Sequence, residues 1–176
     1  MRKQITPLCA LALLILAVVA CKQLQSLTGS TVLRSPDGKF QLTVPAGWQE
    51  RPSLHQTAGI KAANIFQETY VIVITENKFD FADDMTLDKF TDITRQAMLQ
   101  KAVDSNSTEP APVTINGIEG RQYELDGVVN SVKISYLVTA LETATNYHQV
   151  ITWTLLSRKT QNHPTLKKVT ESFRAT

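Results

Sequence analysis

The sequence has 176 residues, 18 Lys and Arg against 16 Asp and Glu, and a formal net charge of +2. No long run of basic residues occurs, so nucleic acid is not expected as a partner, because affinity for nucleic acid depends on neutralising phosphates. Only two cysteines are present, Cys9 and Cys21, which excludes a disulfide framework.

The N-terminus has the pattern of a bacterial lipoprotein signal peptide. Arg2 and Lys3 precede an uncharged apolar run over residues 8–20, which is too short to span a bilayer as a helix. Such a run is typical of the hydrophobic region of a signal peptide. It ends in Val18-Val19-Ala20-Cys21, which resembles the lipobox before the acylated cysteine of lipoproteins. We therefore expect a signal peptide over residues 1–20 and lipid on Cys21. The alternative is an ordinary signal peptide followed by an unmodified cysteine.

The predicted mature chain is one lipid-anchored domain outside the cytoplasm. Cleavage leaves 156 residues with 16 basic and 16 acidic side chains, enough for a sizeable core. No other apolar run reaches 18 residues, so we expect attachment through fatty acids such as palmitate on Cys21. Lys22 stands where inner-membrane retention usually depends on an Asp. In a host with two membranes we expect the protein to be anchored in the outer membrane and to face the periplasm. Anchoring in the inner membrane and exposure at the cell surface are the alternatives.

A tether and a first strand are predicted next. Residues 21–34 comprise the lipidated Cys21 and a polar segment that predicts a flexible tether. The globular domain is expected over residues 35–176, opening with the turn sequence Ser35-Pro36-Asp37-Gly38. Strict alternation of apolar and polar residues over Phe40–Val44 predicts a half-buried strand.

Two paired strands are predicted over Ile60–Phe66 and Tyr70–Thr75. Every residue of Tyr70–Ile74 is apolar, which is typical of a central strand covered on both faces. We therefore expect other elements to pack on both sides of the sheet.

A helix is predicted from Leu87 to about Lys101, after an acidic loop. Thr86 precedes the apolar stripe and can accept a hydrogen bond from a free backbone N–H, as N-cap residues do. Met85 and Phe90 stand at the two positions of a hydrophobic staple. The local sequence thus specifies where the helix begins.

The second half predicts a loop, four strands and a last helix. Residues 104–112 are polar with two prolines and predict a crossing loop. Pro164 suits a first helical turn, so the last helix is expected to begin there. The four strands are predicted over Val113–Ile115, Ile118–Leu125, Val132–Leu141 and Tyr147–Leu156.

The order of elements predicts an α+β fold. Short connections between sequential strands favour a mostly antiparallel sheet flanked by helices. No internal repeat or low-complexity segment is present.

Three short motifs resemble those of PsbP-like domains. Phe40–Trp48 reads Phe-Gln-Leu-Thr-Val-Pro-Ala-Gly-Trp, similar to the Phe-x-x-x-x-Pro-x-Gly-Trp start of that family, and Val113–Gly117 and Glu171–Phe173 are similar too. The family includes photosystem II extrinsic proteins, a eukaryotic Ran-binding import factor and bacterial lipoproteins of the DcrB type. The resemblance covers about Pro36 to Phe173. It implies an α/β/α sandwich built on an antiparallel sheet and a binding or assembly-supporting role, and it carries over no functional residue.

The acidic cluster Asp80, Asp83, Asp84 and Asp88 is the nearest approach to a metal site. Four carboxylates could hold a hard cation, but Met85 stands where an EF-hand loop requires glycine. The favoured interpretation is acidic residues at a helix N-terminus, where the macrodipole favours negative charge. We therefore expect neither a metal nor another cofactor, with Asp80, Asp83 and Asp84 as weak candidate ligands.

Histidines and tryptophans are the other candidate site residues. His55, His148 and His163 are far apart in the sequence, so structural roles are expected for each. Trp48 and Trp153 could line a ligand site, although core packing is the favoured interpretation for both.

These observations predict a non-enzymatic binding domain that supports a protein partner, in envelope assembly or maintenance. The sequence contains no Gly-x-Ser-x-Gly, His-Glu-x-x-His, P-loop or Gly-x-Gly-x-x-Gly motif. No cysteine remains as a nucleophile after lipidation of Cys21. The alternatives are an envelope hydrolase with a dispersed site, a lipoprotein that binds a small ligand, and a passive structural lipoprotein. A dispersed pair of acid–base carboxylates stays open, because no sequence motif excludes one.

Overall fold

The computed structural model of the chain describes residues 29–175. Cys21, the signal peptide and most of the predicted tether lie outside them. The helices are α1 (Leu87–Lys101) and α2 (Lys159–Glu171), with short 3-10 helices at Pro52–Leu54, Lys78–Asp80 and Leu156–Arg158. The strands are β1 (Ser30–Arg34), β2 (Phe40–Pro45), β3 (Gln49–Glu50), β4 (Ile60–Asn64), β5 (Thr69–Asn77), β6 (Val103–Ser107), β7 (Ala111–Ile115), β8 (Ile118–Val129), β9 (Val132–Glu142), β10 (Asn146–Leu155) and β11 (Arg174–Ala175). No helix of this part of the chain is long and apolar enough to cross a membrane.

The strands form two antiparallel sheets. The large sheet has the order β3-β4-β5-β10-β9-β8-β6, and β7 also pairs with β8. The small sheet has the order β1-β2-β11. This arrangement confirms the predicted α+β class with a mostly antiparallel sheet flanked by helices.

One face of the large sheet is fully covered and is called the closed face. It carries Val71 and Val73 of β5 and Val150 of β10, all without exposed surface. The small sheet and α2 pack on it, and Leu42 and Leu166 from these two elements are equally buried. Burial of this apolar surface is the main stabilising contribution to the fold.

The opposite face is covered unequally and is called the open face. The helix α1 packs over β6, β8 and β9, where Tyr123 and Leu125 are buried. Over β5 and β10 the cover is thinner, and Tyr70, Ile74 and Trp153 remain half-buried. The prediction of cover on both sides is therefore confirmed, but only part of this face is sealed.

The predicted start of α1 is confirmed in each detail. Thr86 Oγ1 accepts a hydrogen bond from the backbone N–H of Lys89 at 3.2 Å. Met85 and Phe90 join one apolar cluster, and the Phe90 ring stacks on Tyr147 with centroids 4.5 Å apart. Local chemistry therefore determines where this helix begins.

Two segments predicted as tether and loop form edge strands instead. Ser30–Arg34 was expected to be tether, but it is β1, pairs with β2 and buries Leu33. Val103–Ser107 lies where a loop was predicted from residue 104, and it is β6, paired with β8 through a register shift. Both strands hydrogen-bond through their backbones while most of their side chains face solvent. Neither therefore shows the alternating pattern of a half-buried strand.

The predicted ends of two other elements are wrong by several residues. The last helix begins at Lys159 rather than Pro164, because Asn162 is buried in its first turns and donates to Thr154 Oγ1 at 2.8 Å. Strand β4 ends at Asn64 rather than Phe66. The Asn64 side chain there accepts from the Gln67 N–H at 3.2 Å and closes a turn.

Candidate functional site: a groove on the open face

A groove lies on the open face, between α1, the segment after Pro52–Leu54, and strands β5 and β10. Its volume is about 390 Å³, within the range of small-molecule pockets, and one side is open to solvent. Isoleucines of β5 and β10 form the floor, and Met98 of α1 forms part of one wall. The lining side chains are Leu54, His55, Ile72, Ile74, Thr94, Ala97, Met98, Lys101, Tyr136, Gln149, Ile151 and Trp153.

An aromatic row runs beside the groove across three neighbouring strands. Tyr70 and Trp153 stack with ring centroids 5.1 Å apart and an interplanar angle of 8°. Tyr136 lies on the other side of Trp153, with centroids 6.1 Å apart. All three rings are half-buried, and burial raises the pKa of Tyr136. Half-buried Tyr and Trp side chains present large rigid contact areas, which are enriched where proteins bind partners.

The groove exists because α1 is fastened towards the far edge of the sheet. Arg95 Nε donates to Ser107 Oγ of β6 at 2.9 Å, and Arg95 Nη2 donates to Glu109 at the same distance. Tyr123 of β8 donates its hydroxyl to Met98 Sδ at 3.6 Å, and burial raises its pKa to about 12. These contacts hold α1 over β6 and β8, so β5 and β10 are left partly uncovered.

Two polar side chains of the groove, Gln149 and His55, are held by neighbouring groups. Gln149 Nε2 donates to Glu76 Oε2 at 3.1 Å. His55 Nδ1 accepts from the Ala58 N–H at 3.1 Å, so the neutral ring carries its proton on Nε2. Lys101 is exposed at the end of α1. The site is therefore an apolar floor with a polar margin, the usual composition of a protein-binding surface.

On the closed face, the fold brings together a serine, a histidine and a glutamate. Ser135 Oγ lies 3.0 Å from His163 Nε2, and His163 Nδ1 lies 3.6 Å from Glu124 Oε1. Ser135 has no exposed surface, so no substrate can contact its hydroxyl in this conformation. That hydroxyl donates to Asp126 Oδ1 at 2.6 Å, which directs its proton away from the imidazole.

This closed-face cluster fastens the first turns of α2 to the sheet. Lys159 Nζ lies 2.8 Å from Glu124 Oε2 and 2.9 Å from Asp126 Oδ2. Burial lowers the pKa of His163, opposed by the nearby Glu124 carboxylate. Lys159 forms an ion pair with each of the two carboxylates, and these contacts hold the first turn of α2 against the sheet. The separation of His163 from the other histidines in sequence gave no sign of this contact.

The acidic cluster lies around the start of α1, and two of its members form ion pairs. Asp84 Oδ2 lies 2.5 Å from Lys89 Nζ, and Asp88 Oδ1 lies 2.6 Å from Arg121 Nε. Asp80 and Asp83 are exposed. Within residues 29–175 no group of three or more His, Cys, Asp or Glu side chains is placed to hold a metal ion.

The two tryptophans and the remaining histidine have different environments. Trp48 is buried in the closed-face core, which confirms core packing for that residue. Trp153 packs against a core cluster with one side of its ring and lines the groove with the other, so both interpretations of this residue stay open. His148 is buried on β10 with a structural contact, Nδ1 to Thr75 Oγ1 at 2.9 Å. Sequence reasoning missed Tyr70 and Tyr136. The available signal was the presence of aromatic residues in each of three predicted strands.

Solved structures with the same fold come from several bacteria. Cyanobacterial PsbP (CyanoP) from Synechocystis sp. PCC 6803 matches with a TM-score of 0.63 at 13% identity, over 85% of this chain and 94% of that one. LpqN of Mycobacterium tuberculosis, described as involved in cell envelope biogenesis, matches with a TM-score of 0.58 at 12% identity, over 84% of this chain and 91% of that one. A Pseudomonas aeruginosa protein of unknown function matches with a TM-score of 0.53 at 9% identity, over 81% of this chain and 94% of that one.

These likenesses confirm the fold predicted from the three sequence motifs. The domain has the PsbP-like fold over most of its length. No family model matches the sequence, and no curated protein is similar to it in sequence. At such low identities the likeness shows fold alone, and function must be argued from the groove.

Proposed function

We propose that the chain is a lipid-anchored extracytoplasmic binding domain, without catalytic activity, that holds an apolar segment of a protein partner in the open-face groove. The half-buried aromatic row beside an open apolar groove carries this proposal. Tyr and Trp are enriched among the residues that dominate binding energy in interfaces. Met98 adds an adaptable apolar wall, a common feature of surfaces that accept peptide segments.

A protein partner suits the groove better than a small ligand or a substrate. The groove opens along one side, whereas small-molecule sites bury most of the ligand surface. Its polar groups Gln149 and His55 are already engaged by neighbouring groups. The Ser135–His163 contact lies on the other face, beneath α2, where it fastens a helix. The hydrolase alternative therefore has no exposed nucleophile in that cluster to act on a substrate.

The proposed setting is the bacterial envelope, as a lipoprotein of the DcrB type. Its support is the lipobox-like sequence before Cys21, together with a fold shared with LpqN, which is described as involved in cell envelope biogenesis. Several acyl chains on one cysteine would anchor the protein stably, since each buried CH₂ contributes about 0.8 kcal/mol.

The anchor is tested by metabolic labelling with a fatty-acid analogue in the wild type and in Cys21→Ala. We expect label only in the wild type. Equal labelling of both proteins would contradict lipidation at Cys21. Cys9→Ala is the control and should keep the label.

The membrane is tested by density-gradient fractionation in a host with two membranes. Lys22 predicts that the protein sediments with outer-membrane markers, and Lys22→Asp should shift it towards the inner membrane. Wild-type protein found mainly with inner-membrane markers would contradict the proposed location.

The groove is tested by photo-crosslinking in native membranes. The photoreactive residue p-benzoylphenylalanine is placed at Lys101, which lines the groove, or at the neighbouring exposed Gln100, which does not. We expect a discrete protein adduct from position 101 and little from position 100. The same adducts from both positions would show that the partner does not use the groove.

A further inference from the structure

The turn between β4 and β5 exposes two large apolar side chains. The Phe66 side chain is 87% exposed and Ile65 is 49% exposed. Exposed aromatic side chains of this kind are costly in water and favourable at a membrane surface or in an interface.

The backbone of this turn is held by contacts on both sides of Phe66. Asn64 Oδ1 accepts from the Gln67 N–H, and Asn162 Nδ2 donates to the Gln67 carbonyl at 2.9 Å. The Arg158 guanidinium lies 2.8 Å from the carboxylate of Glu68, which neutralises that charge. The turn is therefore built to present Ile65 and Phe66 outwards.

The chain enters the domain at the same end of the molecule as this turn. Ser30, the first residue of β1, is paired with Pro45 at the end of β2. Two residues later Gly47, with φ of 84°, lies against the turn, and a Cβ on Gly47 would stand 3.0 Å from Asn64 Nδ2. The start of β1 and the exposed turn are thus neighbours in space.

Cys21 precedes Ser30 by nine residues. At full extension nine residues span at most about 32 Å, from roughly 3.3–3.6 Å per residue. A lipid on Cys21 would therefore hold this end of the domain within a short distance of the bilayer.

We infer that the β4–β5 turn is a membrane contact, with Phe66 and Ile65 inserted at the lipid interface. The inference rests on the proposed lipid anchor, because lipid on Cys21 brings the turn to the membrane. Two exposed lysines lie at the same end of the domain and suit anionic headgroups. Lys133 is at the start of β9, and Lys168 of α2 lies beside Ser30. With the small sheet and the chain start on the closed side of the large sheet, the groove of the open face is left accessible to a partner.

Phe79 provides a matched control at the opposite end of the sheet. It is 86% exposed and lies in the short helix after β5, whose Lys78 N–H donates to Thr145 before β10. An added tryptophan at either phenylalanine position is equally exposed to solvent before membrane contact.

The test couples the chain from Cys21 onward, through its single cysteine, to maleimide lipid in vesicles of phosphatidylethanolamine and phosphatidylglycerol. Some vesicles contain lipid brominated on the acyl chains, which quenches nearby tryptophan. Wild type, Phe66→Trp and Phe79→Trp are compared, with Trp48 and Trp153 as the common background.

We expect brominated lipid to reduce the added fluorescence of Phe66→Trp and to leave that of Phe79→Trp unchanged. Quenching of Phe66→Trp no greater than that of Phe79→Trp would overturn the inference. The exposed turn would then be a candidate contact for a protein partner instead. Because the lipid is attached chemically, this result does not depend on whether the cell lipidates Cys21.

Discussion

The two faces of the large sheet use the same strands but differ in how completely they are covered. On the closed face, the small sheet and α2 leave Val71, Val73 and Val150 without exposed surface. On the open face, α1 covers β8 and β9 and leaves Tyr70 and Trp153 half-buried. The comparison teaches that one face stabilises the fold, while incomplete cover on the other creates the groove proposed to bind a partner.

The largest difference between the faces should appear in unfolding energies. Phe173→Ala on the closed side should lower the free energy of unfolding by about 4 kcal/mol, because it leaves a cavity in a fully buried site. Trp153→Ala should cost less than half as much, because its ring is already partly exposed. Urea denaturation of wild type and both variants measures these changes in the free energy of unfolding.

Phe79→Ala is the control for that pair and should stay within about 0.5 kcal/mol of wild type, since the ring is 86% exposed. Equal losses in Phe173→Ala and Trp153→Ala would show that the two faces contribute alike to stability.

The closed face should also make stability depend on pH through His148. Burial among the rings of Phe40 and Phe173 lowers the pKa of His148 from its ordinary 6.5 to about 4, slightly opposed by Asp37. Between these values the unfolded chain binds a proton that the folded chain does not. Stability is therefore complete above about pH 6.5 and falls by about 3 kcal/mol as the pH drops to about 4.

The measurement is urea denaturation from pH 7 to pH 4 in wild type and His148→Asn. The variant should lose most of the slope, whatever its stability at pH 7. A smaller slope should remain, because burial also lowers the pKa of His163. An unchanged slope in the variant would show that His148 is not the group that titrates.

The smallest expected effect is at the start of α1, the helix that bounds the groove. Thr86→Ala should lower the free energy of unfolding by about 1 kcal/mol, because it removes the hydroxyl that accepts from the Lys89 N–H. Thr57→Ala, at an exposed loop position, is the control and should have little effect. Identical denaturation midpoints for Thr86→Ala and wild type would mean that the cap contributes nothing.

Features encoded in a few neighbouring residues could be predicted from the sequence. The N-cap at Thr86, the staple of Met85 and Phe90, and the apolar run Tyr70–Ile74 each depend on local spacing. Edge strands β1 and β6 could not be found in this way, because their backbone pairing places few apolar side chains in the core. Pro164 misplaced the start of α2, since the buried hydrogen bonds of Asn162 come from distant β10 and the β4–β5 turn.

The candidate site could not be predicted for a related reason. Trp153 lies on β10 between two buried residues, Thr152 and Thr154. The sequence spacing of a strand is the same whether its second face is fully covered or only partly covered. The groove depends on where α1 lies on the sheet. The position of α1 depends in turn on the hydrogen bonds that Arg95 donates to Ser107 and Glu109. Contacts between segments that are far apart in sequence therefore determine the groove, and such contacts also bring Ser135 and His163 together.

The central claim is that the half-covered groove is where a partner binds. Ala97 lines the groove and Gln96 is its exposed neighbour on α1, so Ala97→Trp should fill the groove while Gln96→Trp leaves it open. The direct measurement is the yield of the protein adduct crosslinked from position 101 in native membranes, with each variant in turn. We predict that Ala97→Trp abolishes the adduct and Gln96→Trp retains it. Equal yields from the two variants would contradict the claim.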